Sequence, residues 1–559
     1  MRRTASTARR ATSRIRPRTS TGSCRKAAED RIIRTCSLGI LAAALSASPA
    51  LAADTPLAAY ARARAADADG RVTIAAQGYA QALAAQPSDP VIAVRALREA
   101  LASGDLVLAR RAGAVLCAAD VAPPDLDILA FTDAVDKRDV TGQRTALARL
   151  AGSPLGFLAP LLAEWVDVPA PAIAGDGGAI PRRYAAENHA LRLLATGQVT
   201  EGIAAVRTLL TVGGNDADFR LNAAQLLARA GQGDTARALL ASEDPVLSRS
   251  AATLGRGSKG DARFGISRLF TRMAGDLSAE GTEPLAIMLS RSALQLDPKF
   301  SRARLALADA LARSEATTEA QAALAAIPAD DPFATSAAAL AIVIQQRAGN
   351  LDAALALAAK QAGRADATTA SLRRYADLLL ETGRAGEAAA VYARAMALPG
   401  AANDWSLYLQ RGAALDRAGH WAAALPMLRR AVELAPQEPA ALNYLGYAQV
   451  DRGENVAAAT QMLERAHALA PKDPAIADSL GWARFRAGDL NAALPLIEAA
   501  AREAPDDVEI NEHLGDVYWA AGRRVEARYA WRAASVAADG ADATRLAGKL
   551  ANGPASSQR

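Results

Sequence analysis

The chain has 559 residues, 64 Lys and Arg against 59 Asp and Glu, and a formal charge of +5; 51% is hydrophobic but only 4% aromatic. Residues 1–52 hold eleven Lys and Arg against Glu29 and Asp30, so that stretch carries +9 and everything after it −4. Phosphate neutralisation needs clustered Lys and Arg, so the body of the chain is not expected to bind nucleic acid.

Residues 1–52 read as a signal peptide. A basic region precedes the apolar core Leu38–Leu45, and the small-residue sequence Ala50-Leu51-Ala52 follows, with cleavage predicted after Ala52. The apolar core is too short for a permanent membrane span, so no transmembrane helix is expected in the mature chain. Arg2-Arg3 and Arg9-Arg10 stand too far from that core to argue for twin-arginine export. An organelle transit peptide is the competing reading. No cysteine stands at the cleavage site that follows the core, so a lipid anchor is not expected. Cleavage leaves one cysteine, Cys117, in the run GAVLCAAD, where a small buried hydrophobe is expected.

Residues 53–168 read as a degenerate helical segment, with turns at Gly70 and Gly104, 34 residues apart, and at Arg138 in the same register. Residues 169–183 are too rich in Pro and Gly for a helix and read as a linker. Residues 184–245 hold two further helix pairs, with turns near Gly197 and Gly231. Residues 246–263 break the register and are expected to form an irregular loop. Residues 264–540 resume it, with turns at Gly281, Ser314, Gly349, Gly383, Gly419, Gly453, Gly488 and Gly522. Residues 541–559 are assigned to a polar capping helix and a frayed tail.

The period is plainest from Trp405 to Ser535. Four copies each place a glycine mid-way (Gly412, Gly446, Gly481, Gly515) and another seven residues on. In the third, Ile476, Leu480, Ala483 and Ala487 share one helical face before Gly488, and Leu490, Ala493, Leu494 and Ile497 share another after it. Glycine supplies the left-handed residue that ends the first helix, and Pro505 stops the second. The unit is a helical hairpin that cannot bury its apolar face alone, so neighbours must stack.

Tyr444, Gly446, Tyr447, Ala466 and Pro471 in one copy, and Gly481, Trp482, Ala493, Ala500 and Pro505 in the next, resemble the tetratricopeptide repeat. The resemblance implies an all-α, right-handed α-solenoid whose first helices line a concave face. It carries Asn443, Tyr447, Asp478, Trp482, Arg486, Glu512, Asp516 and Trp519 to that face as candidate partner-binding residues. The aromatics have a second reading as inter-helix packing. The acidic surroundings disfavour acidic tails as ligands and favour a basic or neutral peptide or a folded protein.

No catalytic, cofactor or metal site is expected. Gly255–Gly260 matches G-x-G-x-x-G but no strand precedes it. His189, His420, His467 and His513 lie in different repeats without ligand spacing. The expected function is that of a non-enzymatic periplasmic scaffold or adaptor for proteins or peptides of the cell envelope. The C-terminal run is also similar to assembly factors of pilus or polysaccharide export systems. An enzyme using the irregular 246–263 segment is the third reading.

Overall fold

The computed structural model describes residues 55–554, apart from 124, 174–177 and 214–215. The signal-peptide assignment, part of the 169–183 stretch and the last residues of the tail lie outside the described residues. All regular structure among the described residues is α-helical.

Three hairpins come first: α1 (Pro56–Ala68) with α2 (Val72–Ala85), α3 (Pro90–Ser103) with α4 (Leu106–Ala118), and α5 (Leu126–Lys137) with α6 (Val140–Ala151). The single helix α7 (Leu158–Val166) follows. Two more hairpins are α8 (Ala179–Ala195) with α9 (Val199–Gly213) and α10 (Ala217–Arg229) with α11 (Gly233–Leu240). Helix α12 (Pro245–Thr253) is again single. Eight hairpins complete the stack: α13 (Ala262–Asp276) with α14 (Glu283–Leu296), α15 (Ser301–Arg313) with α16 (Thr317–Ala325), α17 (Ala334–Arg347) with α18 (Leu351–Ala362), and α19 (Thr369–Glu381) with α20 (Ala385–Met396). The last four are α21 (Trp405–Arg417) with α22 (Trp421–Leu434), α23 (Pro439–Asp451) with α24 (Val456–Leu469), α25 (Pro474–Arg486) with α26 (Leu490–Glu503), and α27 (Val508–Ala520) with α28 (Arg524–Ala537). Helix α29 (Gly540–Asn552) packs against α28 at the end.

The α25–α26 hairpin shows how the sequence writes each unit. Asp473 accepts from the backbone N–H groups of Ala475 and Ile476 at 3.0 and 3.2 Å, and Pro474 occupies the first helical position, where no donor is needed. Gly488 turns the chain at φ +83°. A Cβ on Gly481 would stand 2.4 Å from Ile497, so only glycine lets the two helices approach this closely. The same left-handed turn recurs at Gly70, Gly104, Arg138, Gly197, Gly231, Gly281, Gly349, Gly383, Gly419, Gly453 and Gly522. At the sixth hairpin's successor, α15–α16, the left-handed residue is Glu315 and not Ser314.

Three local expectations differ from the structure. Residues 246–253 belong to helix α12, capped by Asp244 on the N–H groups of Val246 and Leu247, so only the connection after it is irregular. Helix α8 begins at Ala179, inside the Pro/Gly-rich stretch. Cys117 is exposed: the buried stripe of α4 runs through Leu108, Ala109, Ala112, Gly113 and Leu116, and Cys117 falls beside it in the last turn.

A fourth feature has no counterpart in the sequence reading. Helices α3 and α5 pack against α14, and α7 and α8 against α13. Arg291 donates to the carbonyl oxygens of Leu101 (2.9 Å) and Ala102 (2.6 Å), closing the end of α3 onto α14. Gln295 donates to Asp133 at 2.8 Å, and Asp133 also takes Arg110. Trp165 of α7 lies against Gly265 so closely that a Cβ there would be 2.0 Å from the indole. One continuous apolar core consequently runs from Ala63 to Ile344, whereas the hairpins after α17 pack through smaller, successive clusters.

Candidate functional site

First helices α21, α23, α25 and α27 pack in succession, each against the next. Equivalent positions along them are Asn443, Asp478 and Glu512, each following the last by 35 or 34 residues. One helical turn further on come Tyr447, Trp482 and Asp516. The repeat therefore brings six of the eight sequence-selected residues onto one row of helix faces.

At the α25–α27 contact, Asp478 (4% exposed) pairs with His513 at 2.7 Å, and Trp482 (6% exposed) stacks on the imidazole at 4.0 Å between centroids and 13° between planes. Tyr447 lies 6.1 Å from the same ring and donates its hydroxyl to Glu509, two repeats on. Burial lowers the His513 pKa, but Asp478, with Glu509 and Asp516 nearby, outweighs it and the net shift is upward. The place of His513 opposite Asp478 depends on the stagger of adjacent hairpins, which a single repeat does not encode. Among the described residues, three buried atoms of this row have no hydrogen-bond partner: Asn443 Oδ1, Asp478 Oδ1 and Trp482 Nε1.

The row ends differently at α27. Lys549 of α29, 5% exposed, reaches Glu512 and Asp516 at 2.6 Å each, and Arg545 grips Glu512 through two nitrogens at 2.8 and 2.7 Å. Asp516 also accepts from Trp531 Nε1 at 3.0 Å. Burial pushes the Glu512 carboxyl up, but Arg545 and Lys549 overcome it and bring it down to about 2. For Asp516 burial prevails over Lys549 and the shift is upward. The acidic residues selected as a partner surface are thus filled here by the chain's own terminal helix.

Trp519 is half-buried beside Trp531, 5.4 Å between centroids, with the guanidinium of Arg524 4.4 Å from its ring. Arg486 is exposed on α25, with Asp451 at 3.9 Å. Neither belongs to the His513 cluster. Among the described residues no group of three or more His, Cys, Asp or Glu is placed to hold a metal ion, and no helix is long and apolar enough to cross a membrane.

Tetratricopeptide-repeat family models match residues 277–342 in one case and residues 188–245, 409–474 and 479–543 in another. No curated protein sequence matches. Among solved structures, a tetratricopeptide repeat protein from Parabacteroides merdae is similar at 15% identity and a TM-score of 0.39, over 45% of this chain and 97% of that one. A thermophilic tetratricopeptide repeat protein from Thermus thermophilus is similar at 20% identity and a TM-score of 0.30, over 33% and 100%. MamA from Desulfovibrio magneticus shares 20% identity at a TM-score of 0.26, over 30% and 94%. With helical hairpins throughout and family matches in both halves, the chain is an α-solenoid protein that carries tetratricopeptide repeats.

Proposed function

We propose that the protein is exported and works as a non-enzymatic scaffold, binding envelope proteins or peptides along the first-helix face of its C-terminal hairpins. Tetratricopeptide repeats point to protein interaction in general. The observation that carries the reading is the row Asn443–Asp478–Glu512. Its last member already takes Arg545 and Lys549 from a packed helix, while Asn443 and Asp478 each keep a buried oxygen without a partner among the described residues. An unsatisfied buried acceptor costs about 1–3 kcal/mol, part of which is recovered by a partner that parts the helix faces and donates to it. The acidic character of the row suits a partner offering Lys, Arg or backbone N–H groups. The basic leader with its Ala50-Leu51-Ala52 site supports export, and hence envelope partners.

The test is site-specific photo-crosslinking in cells. A crosslinking residue at Arg486, exposed on α25, is expected to capture partners, and substituting Asn443→Ala with Tyr447→Phe is expected to abolish that capture. Gln461, exposed on the second helix α24, serves as the comparison position. Equal capture from Gln461, or capture from Arg486 that survives the double substitution, refutes the reading. Fusing residues 1–60 to a reporter active only outside the cytoplasm tests export separately, and an inactive fusion refutes it.

A further inference from the structure

A cleft of about 390 Å³ opens where the register breaks, far along the chain from the row just described. It is walled by α10, α12, the connection from Leu254 to Asp261, α13, and the starts of α15 and α17. The volume is within the range that accommodates a small metabolite. Its irregular wall is fixed in place: Ser258 donates from its backbone to Gln225 O and from its hydroxyl to Gln225 Oε1, both at 3.2 Å. Gly257, at φ +68°, sits so close that a Cβ would be 2.0 Å from Gln225 O.

The three carboxylates of this cleft already hold donors. Asp218 receives Arg302 Nε on both oxygens at 2.9 and 2.8 Å. Asp331 takes the Ser301 hydroxyl at 2.6 Å and the Phe333 N–H at 2.8 Å. Asp297 takes Arg268 on one oxygen and the Lys299 N–H, at 3.3 Å, on the other. The donors are only partly used: Arg268 gives one Nη to Asp297 and Ser267, and Arg302 gives its Nε to Asp218. Arg268, 6% exposed, lies with its guanidinium 4.2 Å from the Phe264 ring centre and 4.0 Å from that of Phe300, and its Nε is a buried atom with no partner among the described residues. The side chains of Asn222 and Lys299 make no hydrogen bond or ion pair among the described residues, although both line the cleft. Burial holds the Arg268 guanidinium below its ordinary range, and Asp297 offsets this only in part. The spare donor bonds of the Arg268 guanidinium, the Asn222 amide nitrogen and the Lys299 ammonium are chemically complementary to an anion.

We infer that this cleft binds a small molecule through an anionic oxygen group, a carboxylate or a phosphate, met by Arg268, Asn222 and Lys299. Phe300 and Phe333 offer the rest of that molecule an apolar wall. Calorimetric titration of the full chain with inorganic phosphate and, separately, with succinate tests this and tells the two chemistries apart. Saturable binding of phosphate assigns a phosphorylated ligand, and of succinate a carboxylated one. Asn222→Asp, which keeps the shape but replaces a donor with a charge of the wrong sign, is expected to weaken binding at least tenfold. Lys299→Gln should weaken it severalfold, and Lys472→Gln, exposed on the C-terminal hairpins, should not. Unliganded melting temperatures must match the parent for the comparison to count, and Lys299→Gln, at an exposed position, secures it if Asn222→Asp melts early. Failure of both probes to bind saturably, or unchanged affinity in Asn222→Asp and Lys299→Gln, overturns the inference.

Discussion

Replacing Lys549 with Met removes the cation shared by Glu512 and Asp516 while keeping most of the buried stem. Holding Glu512 at about 2 against its ordinary 4.5 corresponds to about 3 kcal/mol of preference for the carboxylate, which Arg545 and Lys549 supply together. Lys549 also answers Asp516, which burial pushes upward. Breaking a buried pair by deleting one partner typically costs about 3–5 kcal/mol, and because Arg545 remains on Glu512 the expected loss is about 3 kcal/mol at neutral pH. The loss falls on the terminal unit, since a repeat contacts mainly its neighbours. Hydrogen exchange of the α28 and α29 amides should report it as local opening. The pH dependence has a definite sign. A carboxyl depressed in the folded state contributes stability above its unfolded pKa and loses it as pH falls through the folded one. The gap between parent and variant should therefore narrow as pH drops from 4.5 toward 2. Adding Glu512→Gln and Asp516→Asn to Lys549→Met should recover most of the loss. A cost below about 1 kcal/mol at neutral pH, or a gap that widens in acid, refutes the reasoning.

Gly265→Ala should undock α7 from α13, because its Cβ would meet the Trp165 ring; about 3 kcal/mol or more is expected from such overpacking, read by urea denaturation, and Gly548→Ala, with open space at its Cβ, should cost little. For His513, a folded pKa raised above 6.5 makes its pairing with Asp478 fully stabilising below that value and lost as pH rises through the folded pKa. His513→Gln should flatten the stability profile above pH 6.5, and a profile identical to the parent's would count against the pair. Cys117 should react with a thiol reagent in the native chain. Purified from cells that process the leader, the protein should yield one thiol per chain, not three.

The helical hairpin and its turns were legible because the reason for each is local. A left-handed residue ends each first helix, glycine allows the close approach of Gly481 to Ile497, and both recur at fixed spacing. Helix α12 escaped notice because nine residues carry too few turns for a period, and Gly255–Gly260 beyond it drew the whole segment toward a loop. Cys117 was misplaced because one residue's rotation decides between the stripe and its edge. In the candidate site, Asp478 and Trp482 were visible as repeat positions, but their partner His513 was not, since it belongs to the next hairpin. Lys549 was hidden for the opposite reason. A basic residue on a terminal helix reads as solvated until the acidic pocket facing it is seen.

The docking of α3 and α5 on α14 sets an order of events for the growing chain. Arg291 binds carbonyl groups made 190 and 189 residues earlier, so the first hairpins cannot complete their burial until α13 and α14 exist. Closing so long a loop costs entropy before any contact repays it, and contacts of high sequence separation slow folding. The later hairpins need only the preceding one and can condense as they appear. In the growing chain the N-terminal hairpins should thus keep apolar surface open until α14 emerges, and the regular C-terminal hairpins should then add one after another.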